Sequence, residues 1–349
     1  MNVKIAQSRP RRKLNSNNVL LLITIGLFIV MYAAGCIVYG YKGFSNLQTF
    51  LNILISNAGL ICIVCGMTAV MLTGGIDISV GGLVAMNCMF MAVGMEYWGW
   101  SSPVLIGLVI VIGLVFGLGL GYCVGYLGIQ PFIVTMAGMF FARGMTAVLS
   151  TNQVSIVSDE FFVHLANLRI NMPFQIGAYT NKRGVLLVPY IRVAVLVAIA
   201  SVIVIYLILR YTRFGRSMYA VGGNQQSAQL MGLDVKKTRM RAYMLCSFMT
   251  SIGSICYCLN SMSGTPMQAS GLEMDAISST VIGGTLLTGG VGNVIGSFFG
   301  VLINGTIASL VKTHGKLMSS WSNVLTAILL CFFIVIQAIF AKVKEARKN

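Results

Sequence analysis

Charge is what this sequence lacks. Only 9% of its 349 residues are Asp, Glu, Lys or Arg, and 57% are hydrophobic, whereas a soluble domain carries about a quarter charged residues. Such a chain belongs in lipid. Acidic residues are the scarcest, eight against 24 basic ones, which leaves a net charge of +16. On one soluble face that excess would suit nucleic acid. Here it collects beside apolar runs, which is the bias of cytoplasmic loops, so no nucleic-acid partner is expected. Histidine is nearly absent: His164 and His314 lie far apart, and no H-E-x-x-H occurs. That argues against a metal site, an intramembrane Ser–His dyad and an intramembrane enzyme. No G-x-x-x-x-G-K-[ST] occurs either, so the chain has no phosphate-cradling loop and cannot hydrolyse ATP alone.

Cysteine is present, but not as a disulfide framework. All nine lie within apolar runs, where Cys behaves as a small hydrophobe. Cys62 and Cys65 have redox spacing, yet they sit mid-span with no βαβ context. The start of the chain resembles a signal n-region and h-region. The run 19–39 is nevertheless span-length and lacks a small-residue cleavage site, which reads as a retained first helix.

Ten apolar runs span the membrane or nearly so: 19–39, 50–73, 76–95, 103–126, 130–149, 185–209, 240–261, 274–288, 292–311 and 321–341. Crossing the hydrocarbon takes about 20 residues, so the short, Gly-flanked eighth run is expected to be partial or tilted. Six spans before the basic stretch and four after it place both termini and that stretch in the cytoplasm. The expected division is a basic tail (1–18), helices one to six (19–209), a cytoplasmic loop (210–239), helices seven to ten (240–341) and a second basic tail (342–349). The outer side then receives the segment 150–184, broken by Pro173 and Gly177, and the turn 262–272. These are either plain connections or a vestibule and landing surface. Thr73-Gly74-Gly75 and Thr288-Gly289-Gly290 are each followed by a Gly eight residues after the Thr, at Gly81 and Gly296. Internal duplication and chance recurrence in a chain of 39 glycines both account for this.

The chain is organised around Arg210 to Arg241. Its cations are Arg210, Arg213, Arg216, Lys236, Lys237, Arg239 and Arg241, opposed only by Asp234. Gly222-Gly223-Asn224 reads as a turn, and the segment to Leu233 as a short amphipathic helix. A folded basic element inside a membrane-buried chain is a place for another protein to dock.

Charges within spans are informative because each costs roughly 2.5–3.5 kcal/mol at a helix centre. Asp77, close to Ser79, is either a helix N-cap or a path-lining carboxylate. Arg143 either snorkels outward or lines the path. Glu273 and Asp275 open the eighth run, where carboxylates suit a helix N-terminus; lining the path is the alternative. Pro131 occupies a first helical turn, where Pro is best tolerated. Gln130, Phe132 and Thr135 then offer the aromatic face and hydrogen-bonding groups of a sugar path, or serve helix packing. Gly113, Gly117, Gly121 and Gly125 form a close-packing stripe.

Four stretches carry a resemblance: LTGGIDISVGG (72–82), GIQPFIVTMAGMFFARG (128–144), RFGRSMYAVGGNQQSAQLMGLDVKK (213–237) and GLEMDAISSTVIGGTLLTGGVGNVIGSFFGVLINGTI (271–307). Together they resemble the permeases of ribose/xylose/arabinose/galactoside-type ABC importers. The resemblance implies an all-α polytopic permease fold in the cell membrane, in contact with lipid. It implies cytoplasmic ABC ATPase subunits, an extracytoplasmic substrate-binding protein and a second permease copy or paralogue. ATP and Mg would belong to the partner ATPase, with no cofactor on this chain. Residues 226–232 resemble the E-A-A-x-x-x-G coupling segment, departing from it at Gln226 and Ser227, so the match rests on Ala228 and Gly232. The expected ATPase-coupling residues are Gly222, Gly223, Asn224, Ala228 and Gly232. The expected substrate-path residues are Asp77, Ser79, Phe132, Thr135, Arg143 and Asp275. The segment after the fifth span (TNQVSI) lacks the glycines of many sugar permeases, which leaves the cargo open. A monosaccharide heads the expectation, followed by a nucleoside, a furanosyl signalling compound or a branched-chain amino acid. The rival class is an ion-gradient-driven secondary transporter using Asp77, Arg143 or Asp275.

Overall fold

The computed structural model describes residues 16–172, 177–180, 186–315, 318 and 320–346. Most of the first basic tail, the last three residues of the second and Pro173 lie outside the described residues. The chain is an all-α multi-pass membrane protein. Its helices are α1 (Ser16–Tyr39), α2 (Leu47–Leu72), α3 (Val80–Glu96), α4 (Ser102–Gly125), α5 (Pro131–Leu149), α6 (Glu160–Asn167), α7 (Val193–Tyr211), α8 (Arg213–Gly223), α9 (Gln225–Leu230), α10 (Val235–Ser261), α11 (Leu272–Ile282), α12 (Val294–His314) and α13 (Ser320–Ala346). Three small antiparallel ladders join β1 (Val154–Ser155) to β6 (Ser263–Gly264), β2 (Arg169–Asn171) to β5 (Tyr190–Arg192), and β3 (Tyr179–Thr180) to β4 (Leu186–Leu187).

Each of the ten apolar runs falls on a helix. Among the described residues, seven helices are long and apolar enough to cross a membrane; α3 and Ser320–Val335 are shorter apolar helices. The eighth run yields only the 11-residue α11. It stops because the chain turns sharply at Gly283 and Gly284, the latter at φ +89°. A Cβ on Gly283 would lie 2.5 Å from Ser297 Cα, so the missing side chain lets this turn rest on the backbone of α12. The sixth run begins late, at Val193, because β4 and β5 occupy its first residues.

The core forms around α2, which from Ala58 to Leu72 is buried on every side and almost wholly apolar, as a helix stretch surrounded by other helices must be. α10 packs against both α2 and α4. The glycine stripe of α4 makes the second contact possible. Cβ atoms on Gly117 and Gly121 would lie 2.8 Å from Met244 Cα and Met240 Cα, and one on Gly125 would lie 2.6 Å from the Lys236 carbonyl oxygen. The two backbones approach more closely than any side chain would permit.

Candidate functional site

Two sites stand at opposite ends of α10, whose 27 residues span about 40 Å. At its N-terminal end lies the basic connector. Three side chains start its helices. Thr212 Oγ1 accepts from Gly215 N (3.1 Å), Asn224 Oδ1 from Ser227 N (2.8 Å) and Asp234 Oδ1 from Lys237 N (2.9 Å). Each satisfies a helix N–H that has no intrahelical partner. Val221, Ala228 and Val235 pack into a small core of the connector's own.

The connector differs from its sequence reading in two respects: the helix expected to reach Leu233 ends at Leu230, and the turn expected at 222–224 is mostly helix. Gly222 and Gly223 continue α8, and Asn224 alone breaks the chain before α9. Tertiary contact decides this. A Cβ on Gly222 would collide with the carbonyl oxygen of Leu72 and lie 2.5 Å from Gly290 N, and Gly290 N itself donates to Leu72 O at 2.9 Å. Cβ atoms on Gly289 and Gly290 would lie 2.7 Å from Gly74 N and 2.6 Å from Gly223 Cα. Gly74, Gly289 and Gly290 all have positive φ, at +78°, +86° and +73°, a region that suits glycine. The two Thr-Gly-Gly turns thus meet face to face, and the end of α8 is wedged into their seam. Tyr219 Oη adds a bond to Gly292 O (3.0 Å).

Gly232 adopts φ +80° with open space where a Cβ would sit. It ends α9 through conformation, not through close approach. At that bend Leu230 and Met231 are 89% and 69% exposed, an apolar pair left at the tip while Ala228 turns inward. The sequence offered no direct signal for this pair.

Beside the seam, Asp77 Oδ1 accepts from Ser79 N (2.9 Å) and Ser79 Oγ (2.5 Å), a local turn that delays α3 to Val80. Asp77 Oδ2 is buried with no hydrogen-bond partner among the described residues. Thr135 Oγ1 donates to Pro131 O (2.9 Å) and reaches Ile76 O (3.5 Å). Asp77, Ser79 and Thr135 therefore come together. Phe132 does not join them; it is exposed on the outer face of α5.

Arg143 and Asp275 belong to the second site, at the far end of α10. There the loop 262–271 walls an open cavity of about 440 Å³, lined by Tyr257, Ser261, Ser263, Thr265, Gln268 and Asp275 among others. Arg143 donates to the carbonyls of Gln268 (2.6 Å) and Ala269 (3.1 Å). Those bonds hold Ala269 at φ +54°, a conformation that costs a non-Gly residue about 1–2 kcal/mol. Gln268 ties the loop to itself, accepting from Thr265 N (2.8 Å) and donating to Ser261 Oγ and Ser263 O (both 3.0 Å). The result is a concave surface of hydroxyls, one amide, one aromatic ring and one carboxylate, with Met267, Ala269 and Leu272 as its apolar part. Of its lining, sequence reasoning singled out only Asp275, although it marked the turn 262–272 as a possible vestibule.

A strap lies over this end. β1 pairs with β6, Ile156 N donates to Met262 O (2.9 Å), and Glu96 accepts from Val157 N (2.5 Å) and Ser158 N (2.8 Å). Asp159 completes it by capping two helices, accepting from Ser102 N and Ser102 Oγ (both 2.9 Å) and from Phe162 N (2.7 Å). Partial burial pushes this carboxyl up, but the bonds from Phe162 and Ser102 outweigh it and hold it below the usual carboxylate range. A carboxylate depressed in the folded state contributes stability above its unfolded pKa and loses it as pH falls through the folded one. Asp159→Ala should therefore lower the midpoint of thermal unfolding in detergent at pH 7 by removing a cap worth about 1–2 kcal/mol. The gap between variant and parent should close below about pH 4, and a gap unchanged at pH 3 would contradict the assignment.

Residues 49–334 match a family described as the branched-chain amino acid transport system / permease component. The chain is 38% identical to the inner membrane ABC transporter permease protein YjfF of Escherichia coli over 95% of its length and 96% of the relative's. It is 32% identical to the fructose import permease protein FruG of Bifidobacterium longum, over 96% and 95% respectively. It is 30% identical to the ribose import permease protein RbsC of E. coli, over 84% and 86%. No solved structure matches the chain significantly.

Proposed function

Because this chain belongs to the branched-chain amino acid transport system / permease component family, we propose that it imports a monosaccharide, a pentose or hexose, across the inner membrane by ATP-driven alternating access. The family makes it a transport component. Relatives named for fructose, ribose and galactose or methyl galactoside import support a sugar as cargo. A cavity walled by hydroxyls, Tyr257 and Asp275 suits a neutral polyhydroxylated solute, since such sites combine an apolar face with a few placed polar groups.

The observation that carries the reading is the connector, stiffened by three caps, wedged between both Gly-rich turns and bearing exposed Leu230 and Met231 at its tip. In this reading cytoplasmic ATPase subunits, which hold the ATP and Mg, seat on that tip. Their closure moves α8 and α9 as a unit. Gly222 passes the motion to the turn after α2 and the turn before α12, and the helices beyond those turns open or close the far cavity. A binding protein delivers cargo over the strap, and a second permease copy or paralogue completes the pathway. No covalent chemistry occurs on this chain.

Uptake in proteoliposomes tests the proposal, with and without ATPase and binding protein, using labelled sugars, nucleosides and branched-chain amino acids. Transport of a sugar only with both partners and ATP is the expected result, and the panel names the cargo. Transport by the chain alone down an ion gradient would replace this reading with a secondary transporter working through the intramembrane charges.

A further inference from the structure

A groove on the flank of the protein, between α4, α8 and α10, is used by neither site. It encloses about 270 Å³ and is lined by Leu114, Phe214, Arg241, Met244, Leu245 and Phe248. Five of those residues are apolar, and the sixth is a cation at one end. We propose that this groove binds an anionic phospholipid, with one acyl chain lying along Leu114, Met244 and Phe248 and the phosphate held by Arg241.

Depth supports the assignment. The contacts of Gly121 with Met240 and of Gly125 with Lys236 set Arg241 level with the last turns of α4. There Tyr122 and Tyr126 stack at 5.4 Å and are both exposed. On α7, Arg210 lies over the rings of Tyr206 and Tyr211 at 5.7 and 5.8 Å. Exposed tyrosines of this kind collect at the headgroup level of a bilayer. From Arg241 to Phe248 the groove runs about 10 Å along α10, away from that level and towards the hydrocarbon. The charge therefore sits where a phosphate would be, and the apolar wall where its chain would be.

Availability supports it too. Arg239 donates to Gln225 Oε1 (2.9 Å), Arg216 to Tyr211 O (3.2 Å) and Arg210 to the Tyr206 hydroxyl. Arg241 is exposed and has no hydrogen-bond partner among the described residues. Arg213, exposed beside Phe214, supplies a second cation. A second copy of this chain fits less well, because the groove's lining offers no carboxylate to neutralise Arg241. Basic residues between membrane helices at this depth suit lipid phosphates. The inference requires only that the chain spans the membrane, so it stands or falls independently of the cargo and of the ATPase.

The test uses the full chain in phosphatidylcholine nanodiscs with a phosphatidylglycerol probe carrying a photoactivatable group on its acyl chain. Labelling of the peptides holding Leu114 and residues 244–248 is expected, with little from the same probe built on phosphatidylcholine. Glycerol 3-phosphate, a headgroup without chains, should not compete; competition would show a free-phosphate site instead. R241Q should weaken phosphatidylglycerol retention about fivefold, the effect of one basic residue near the surface, while R216Q leaves it unchanged. M244W should block labelling by filling the groove. Labelling elsewhere on the wild-type chain, or equal labelling by both probes, overturns the proposal. So does disulfide cross-linking of F248C between two copies that phosphatidylglycerol fails to suppress, which would make the groove an interface.

Discussion

Replacing Gly222 with valine should reduce ATP-driven uptake about a hundredfold while the chain still inserts and still holds its ATPase. The argument is steric. A Cβ at this position would collide with the Leu72 carbonyl oxygen and sit 2.5 Å from Gly290 N, which bonds to that same oxygen. These neighbours are backbone, fixed by the ends of α2 and by the turn before α12, and no side chain can swing aside. Overpacking of a well-packed contact costs about 3 kcal/mol at the upper end. If only the conformation in which the seam is closed carries that cost, its population falls by about two powers of ten. Gly119→Val is the control, because Gly119 on α4 faces open space. Uptake, ATPase co-purification and membrane level should be measured together. Normal uptake by the Gly222 variant would show that the seam transmits nothing.

That seam also marks where sequence reasoning reaches its limit. The ten apolar runs were legible as helices because the bilayer sets a minimum apolar length, and each run falls on a helix, although among the described residues seven of these are long and apolar enough to cross. Pro131 at a first turn and the glycine stripe of α4 were legible for the same kind of local reason, a backbone rule or a fixed spacing. The two Thr-Gly-Gly turns were seen but said nothing, since recurrence in a glycine-rich chain carries no information until the turns are known to touch. Gly222-Gly223 looked like a turn because glycine has poor helix propensity; the helix continues through them since only glycine fits against Leu72. Arg143 and Asp275 were chosen as rare intramembrane charges; Asp275 lines the cavity, and Arg143 holds the loop that walls it. Phe132 was chosen for its chemistry alone, and nothing in a linear sequence says which face of α5 it occupies. Tyr257, Ser261 and Gln268 passed unnoticed because polar residues at a helix end are ordinary. Their convergence depends on the Arg143 bonds that fold the loop 262–271 back.

Leu230→Asp combined with Met231→Asp should release the ATPase altogether. Both side chains are largely exposed at the end of α9, while the connector's own core consists of Val221, Ala228 and Val235. Charging the tip therefore leaves the fold unperturbed and acts only on what binds there. Burying a large apolar side chain contributes about 1.5–3 kcal/mol, and the few residues that dominate an interface cost 2 kcal/mol or more when truncated. Two carboxylates forced into an apolar cleft should thus weaken association by at least about a hundredfold. Uptake would vanish with it. The contrast with Gly222→Val separates two ways of failing, since that variant keeps its ATPase and loses transmission, whereas this one loses the ATPase first. ATPase that still co-purifies with the doubly charged tip would place docking on another part of the connector. The basic residues flanking α9, Arg239 and Lys237 among them, would then be the next to be neutralised.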